Sequence, residues 1–178
     1  MMAKPSRRTL TATAAALAIG AGSLTWAVTS ASAASAASAI PRCQASQLYA
    51  WVSPDSGNGA AGTIYYHLDL TNVSGSTCNL IGYPGVSAVN SAGKQLGATA
   101  RRNAVAPARY INIAPNGTAH AILGYVDAQV GSGCPKATAT FLKVYPPNDT
   151  GSRLAWFPLQ VCTNKAVDLT IEVVQAGA

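Results

Sequence analysis

The chain reads as an all-β protein, an antiparallel β-sandwich of about eight or nine short strands. Three observations carry that reading. Apolar and polar residues alternate over short runs, the period of half-buried strands. Turn formers recur about every 8–12 residues. Beyond the amino-terminal region no stretch shows the 3.6-residue apolar period of a helix.

The amino terminus is different in kind. Lys4, Arg7 and Arg8 precede an uncharged run from Leu10 to Val28 rich in Ala, Leu and Gly. Stacked Ala-x-Ala sites follow at residues 31–33, 34–36 and 37–39. Basic, apolar and small-residue segments in that order make a secretory signal peptide over residues 1–33, cleaved somewhere in 33–39. The competing reading is an uncleaved anchor, because the apolar run is about long enough to span a bilayer. Ser6-Arg7-Arg8-x-Leu10 also fits a twin-arginine signal, so the general and twin-arginine export routes both stay open. Residues 34–41 form an Ala/Ser-rich spacer, and 42–176 a single β-sandwich domain. The first cysteine follows Pro41-Arg42 rather than a small-residue lipobox, so no lipid anchor is expected. The expected location is extracellular or cell-wall associated, with no transmembrane segment after cleavage.

The first strand is Gln47 to Val52. Ser53 to Ala61 is a loop containing Gly57-x-Gly59-x-x-Gly62, formally a dinucleotide fingerprint. That fingerprint works at the start of a helix, and a strand follows here, so it reads as a turn. Ile64, Tyr66, Leu68 and Leu70 form one face of the next strand; Tyr65, His67, Asp69 and Thr71 form the other. Turn residues then lead to Cys78 and to Gly82-Tyr83-Pro84-Gly85, where Pro84-Gly85 suits a type II turn. Val86–Val89 and Gln95–Ala98 read as a hairpin, and Ala100–Ala108 as a polar connection. Strands follow at Arg109–Ile113, Thr118–Asp127, Thr138–Tyr145 and Leu154–Val161, with Pro158 confined to an edge or a bulge. Val130–Lys136 is a loop and Pro146–Gly151 a turn. Ala166–Val174 closes the fold, with Val167, Leu169, Ile171 and Val173 inward and Asp168, Thr170 and Glu172 outward.

LTNVSGSTCNLIGYPGV, from Leu70 to Val86, resembles the signature of a secreted actinobacterial family, domain of unknown function 4232. Leu70, Thr71, Asn72, Ser74, Gly75, Cys78, Leu80, Gly82, Tyr83, Pro84 and Gly85 carry the likeness. Ala114-Pro115-Asn116-Gly117, Ala119, Cys134, Pro146-Pro147 and Cys162 extend it. Many members of that family carry a lipobox cysteine, which this chain lacks. The resemblance implies an immunoglobulin-like β-sandwich of the cell envelope and no established activity.

Four cysteines in an exported chain read as two disulfides. A zinc site would want close pairs such as C-x-x-C, and none is present. Strand geometry selects the pairing. Cys43 precedes the first strand and Cys78 follows the second; Cys134 and Cys162 flank a later hairpin in the same way. Antiparallel neighbours would therefore bring Cys43 to Cys78 and Cys134 to Cys162.

The chemistry-bearing residues are sparse. His67 and His120 are the two histidines. Asp69 shares a face with His67 but about 6–7 Å along the strand, too far to orient an imidazole. No G-x-S-x-G is present. Asp168 and Glu172 lie about 13 Å apart, beyond the separation of a glycosidase pair. Lys94, Arg101, Arg102 and Arg109 fall in a stretch without an acid and are the candidate anion contacts. Losing Lys4, Arg7 and Arg8 with the leader reduces the net charge from +6 to about +3, too little for a nucleic-acid binder. Asn72-Val73-Ser74, Asn116-Gly117-Thr118 and Asn148-Asp149-Thr150 match glycosylation sequons but read as turn asparagines.

These observations point to an exported, non-catalytic binding or structural module without cofactor or metal. Its partner would be an envelope polyanion or another exported protein. One alternative is a secreted protease inhibitor presenting Cys134-Pro135-Lys136-Ala137. A remoter one is a hydrolase whose residues meet only in three dimensions.

Overall fold

The computed structural model describes residues 39–53, 58–60, 62–126, 133–164 and 168–177. The leader, residues 34–38 of the spacer, Gly57, Asp127, residues 130–132 of the expected Val130–Lys136 loop and Val167 lie outside the described residues.

Twelve strands are present among the described residues. One short 3-10 turn, Ala45–Gln47, precedes β1 (Leu48–Val52). Then come β2 (Asn58–Ala60), β3 (Thr63–Asn72), β4 (Cys78–Leu80), β5 (Gly85–Val89) and β6 (Arg101–Arg102). The second half supplies β7 (Ile111–Ile113), β8 (Thr118–Val126), β9 (Lys136–Tyr145), β10 (Arg153–Cys162), β11 (Leu169–Ile171) and β12 (Gln175–Ala176). One sheet runs β1-β3-β8-β11-β6, with β2 added to β3 and β12 to β8. A second runs β10-β9-β5, and β4 pairs with β7 in a small third sheet. Pairing is antiparallel except between β6 and β11.

The two larger sheets share one core. Leu48, Leu68, Leu70, Ala121 and Leu123 face it from the first; Val86, Leu142, Val144, Ala155 and Val161 face it from the second. Each fully buried Leu or Val is worth about 1.5–3 kcal/mol of transfer free energy. The inward row of β3 is the expected one. Leu68 and Leu70 are fully buried, and Tyr66 packs edge-to-face on Phe157 of β10, with ring centroids 4.9 Å apart.

The strands missing from the sequence reading are short. β2, β4, β6 and β12 have two or three residues each, too few for a period to register. β6 lies inside the expected polar connection, and β2 inside the expected glycine loop. Gln95–Ala98 does not form a full strand: Val89 and Gln95 make a single bridge, and Leu96 N–H donates to Ala88 O at 2.9 Å. Ala100 N–H donates to Val86 O at 2.8 Å, and the next residue already pairs with β11. The chain therefore leaves one sheet and joins the other within one residue, strapping that side of the sandwich. Pro158 sits within the bulge between Trp156 and Leu159 on β10, an edge strand of its sheet.

Two local expectations are corrected. Pro84-Gly85 does not form a type II turn. Gly85 opens β5 opposite Tyr145, and the positive φ of this stretch, 109°, belongs to Gly82. A Cβ at Gly85 would stand 3.3 Å from Tyr145 Cβ, so a larger residue there requires Tyr145 to shift by a few tenths of an ångström. Asp168 does not face outward. It is buried, and its Oδ2 accepts the Cys162 N–H at 2.6 Å, trading water for a charge-assisted hydrogen bond.

Both disulfides pair as the strand geometry requires, Cys43–Cys78 and Cys134–Cys162. Leu48 opposes Asn72 in the β1–β3 ladder, and Cys162 opposes Lys136 in the β9–β10 ladder. Each bond thus closes the open end of a strand pair. With sequence separations of 35 and 28, the chain-entropy account gives each roughly 3–4 kcal/mol.

Asn72 ends the inward row of β3 and is fully buried. Its Nδ2 donates to Ser76 O and Ile113 O, both at 2.9 Å. Its Oδ1 accepts from Ser74 N–H at 3.0 Å and Ser74 Oγ–H at 2.7 Å. The amide's two donors and two lone pairs are all used. Asn72→Asp is nearly isosteric but cannot donate to the two carbonyls, and it buries a charge against them. We expect it to cost about 3 kcal/mol or more, at least as much as Asn72→Ala. Urea unfolding of the two variants measures this; an Asp variant as stable as the parent would refute the role given to the donors.

Candidate functional site

Two places on the domain gather chemistry. The first is a cavity of about 290 Å³ between the segment leading into β7 and the carboxy-terminal residues 173–176. Pro107, Ile111, Val173 and Val174 give it apolar walls, and Arg109 and Gln175 supply the polar groups. Local pairing explains its position. β7 is held by β4, while β12 crosses to β8, with Gln175 opposite His120 and Ala176 opposite Ala119. Val174 N–H is fixed to Gly82 O at 2.9 Å. A mostly apolar concavity with an arginine in its lining suits an anionic head carried on an apolar body.

The second place is the outward face of β3 and β8, built from residues that alternate away from the core. His67 and His120 stack there with ring centroids 4.5 Å apart and planes inclined by 14°. Asp69 stands directly opposite His120 in the ladder and is buried, although it lies on the polar face. Ser53 donates its hydroxyl to Asp69 Oδ2, and its backbone N–H donates to His67 O at 3.0 Å. Further along the same face, Trp51 Nε1–H donates to Thr71 Oγ1 at 3.1 Å, and Thr71 and Thr118 share a hydroxyl hydrogen bond of 2.9 Å.

A hydrolytic triad places the imidazole between the serine and the carboxylate, so that it can take the hydroxyl proton. Here the carboxylate lies between Ser53 and the His120 position, and the serine hydroxyl donates to it. Parallel imidazoles also direct their ring lone pairs side by side rather than toward one point. Among the described residues no cluster of three or more His, Cys, Asp or Glu is placed to hold a metal ion.

The other candidate residues are distributed over the fold. Lys94 is exposed in the turn after β5. Arg101 and Arg102 are exposed in β6, where strand alternation sends them to opposite faces. Arg102 lies 5.5 Å from the centroid of the Tyr83 ring. Arg109 reaches the cavity. Glu172 accepts from Asn103 Nδ2 at 3.1 Å, so Asp168 and Glu172 are engaged with different partners. Lys136 opens β9 with its backbone opposite Cys162, and Pro135 O accepts from Thr163 N–H at 2.8 Å. No described helix is long and apolar enough to cross a membrane.

A family model described as "Domain of unknown function (DUF4232)" matches residues 43–176. The chain belongs to the DUF4232 family. Comparison with curated proteins and with solved structures returned no match. In this DUF4232 member the matched span begins at Cys43 and ends at Ala176 of β12, so it contains both disulfides, the cavity and the histidine pair.

The histidine stack was legible in part. Alternation puts His67 and Asp69 on one face, but only the β3–β8 register brings His120 beside them. Burial, and then the neighbouring His67, lower the His120 pKa from its ordinary value, with Asp69 opposing them. The unfolded chain therefore takes up a proton at about pH 6.5, before the folded protein does. The stability that depends on neutral His120 is fully present above that pH and is lost as pH falls toward the lower folded value. We expect the melting temperature to drop as pH is lowered from 7 to 5, and His120→Gln to flatten that slope. An unchanged slope in the variant would remove His120 as its source.

Proposed function

We propose that the protein is an exported, non-catalytic binding module acting in the cell envelope or outside the cell. The single observation that carries the reading is the cavity beside Arg109 on a doubly disulfide-bonded sandwich. Disulfides persist in oxidising compartments, which agrees with the basic, apolar and Ala-x-Ala segments at the amino terminus. A stapled framework also lowers the ordering cost of presenting a preformed site. The ligand class that suits the cavity is an amphipathic anion, its acidic head on Arg109 and its apolar part against Ile111 and Val173.

Two measurements test this. Protein recovered from the culture medium should begin between residues 33 and 39 when its amino terminus is sequenced; a retained Met1 contradicts the export reading. In calorimetric titration the protein should bind decanoate in preference to decanol. Arg109→Ala should weaken decanoate about tenfold or more, the worth of one charge-assisted contact. Equal binding of the acid and the alcohol would remove Arg109 from the site.

A further inference from the structure

The outward face of the β10-β9-β5 sheet carries a second feature, unconnected with the cavity. Trp156 on β10 is 70% exposed and Leu154, two residues earlier, is 51% exposed. In the antiparallel ladder Trp156 lies opposite Phe141 of β9, and Leu154 opposite Lys143. Directly opposed residues share a face with Cβ atoms about 4.5–5.5 Å apart. Tyr145 continues the row on β9, and its ring covers Gly85 of β5. The Lys143 ammonium lies 5.4 Å from the centroid of the Tyr145 ring.

An indole so exposed adds little to the core. Its apolar surface remains in water on a rigid strand, and exposed apolar surface of this kind marks interaction sites. The row has a definite length. Phe141 and Tyr145 are four residues apart, so the indole and tyrosine ends are separated by about 13 Å, with one ammonium over the tyrosine ring. None of the described acids lies on this row. Asp69 is on the other sheet, Asp149 binds the Ala45 and Gly151 amides, Asp168 binds Cys162, and Glu172 binds Asn103.

From this geometry we infer that the Trp156–Lys143–Tyr145 row is a binding platform for an acidic polysaccharide, a chain of sugar rings bearing carboxylates. The chemistry is matched point by point. The C–H face of a pyranose is weakly positive and flat, and it rests on the negative face of an aromatic ring. About 13 Å spans two to three sugar rings of an extended chain. The Lys143 ammonium, over the Tyr145 ring, answers the single charge of a uronate at the tyrosine end of the row. Strand alternation keeps both rings on one face of the sheet, as a linear ligand requires. The inference rests on the export part of the proposed function and uses no residue of the Arg109 cavity.

The test uses the disulfide-bonded full chain and three probes. Polygalacturonate offers rings and carboxylates, dextran offers rings without charge, and polyphosphate offers charge without rings. Polygalacturonate should bind at least tenfold more tightly than either of the others. Trp156→Ala should weaken it about tenfold or more, while Trp156→Phe stays within a few-fold. Lys143→Gln should weaken it and flatten its salt dependence, since exposed charges are screened over about 8–10 Å. Thermal melts identify any variant that has lost its fold, and Trp156→Phe with Lys143→Gln then carries the test. Arg109→Ala should leave polygalacturonate binding unchanged, and Trp156→Ala should leave decanoate binding unchanged, so failure at one site is separable from failure at the other. No binding of polygalacturonate, binding indifferent to Trp156→Ala, or equal binding of polyphosphate or dextran would each overturn the proposal.

Discussion

The buried amide of Asn72 ties together parts of the fold that no strand ladder joins. It ends a row of core side chains, yet it is polar, and it is tolerated only because every donor and acceptor is used. Its backbone is equally committed: Asn72 N–H donates to Gly117 O, and Asn116 N–H donates to Asn72 O. Through this one residue the end of β3, the 73–77 turn, the end of β7 and the β7–β8 turn are held in a single arrangement. Cys78 follows directly and is bonded to Cys43, so the amide and the disulfide fix the same end of the sandwich from two directions.

The functional surfaces inherit their positions from this arrangement. β7 lies where Asn72 and β4 hold it, and its neighbours form one wall of the cavity. β8 starts from the turn that Asn72 anchors. Its register then decides that His120 meets Asp69 and Gln175, one on each side. On the other sheet, the Cys134–Cys162 bond and the bulge at Pro158 fix β10 against β9. That pairing aligns Trp156 with Phe141 and leaves the indole facing solvent.

Legibility in the sequence followed the range of the forces involved. Long strands announced themselves through alternation, as in Leu68 and Leu70 against His67 and Asp69. The disulfide pairing followed from which strand ends had to be neighbours. Strands of two or three residues were missed because they exist through their partners; β6 forms because Ala100 has already been delivered to the sheet boundary by Val86. Pro84-Gly85 suggested a turn on local preference, but pairing with Tyr145 drew Gly85 into a strand. Asp168 looked like a solvent-facing acid because alternation cannot show an amide waiting across a loop, here that of Cys162. The histidine stack, the cavity and the aromatic row all depend on register between strands far apart in the chain, which composition and period do not encode.

Asn72 also opens the sequon Asn72-Val73-Ser74. In a eukaryotic production host, oligosaccharide transfer acts on nascent chains, before Nδ2 can reach Ile113 O. A glycan on that nitrogen would remove one of its two protons and place a bulky, hydrated group where the native residue is fully buried. The modified chain would be barred from the native state. Asn148 is exposed in the β9–β10 turn and its Nδ2 donates to Ile81 O at 3.1 Å, so a glycan there disturbs one surface hydrogen bond rather than a buried network. The same amide that organises the fold therefore makes a bacterial secretory host the route to a native preparation, since replacing Ser74 would itself remove a hydrogen bond to Asn72 Oδ1.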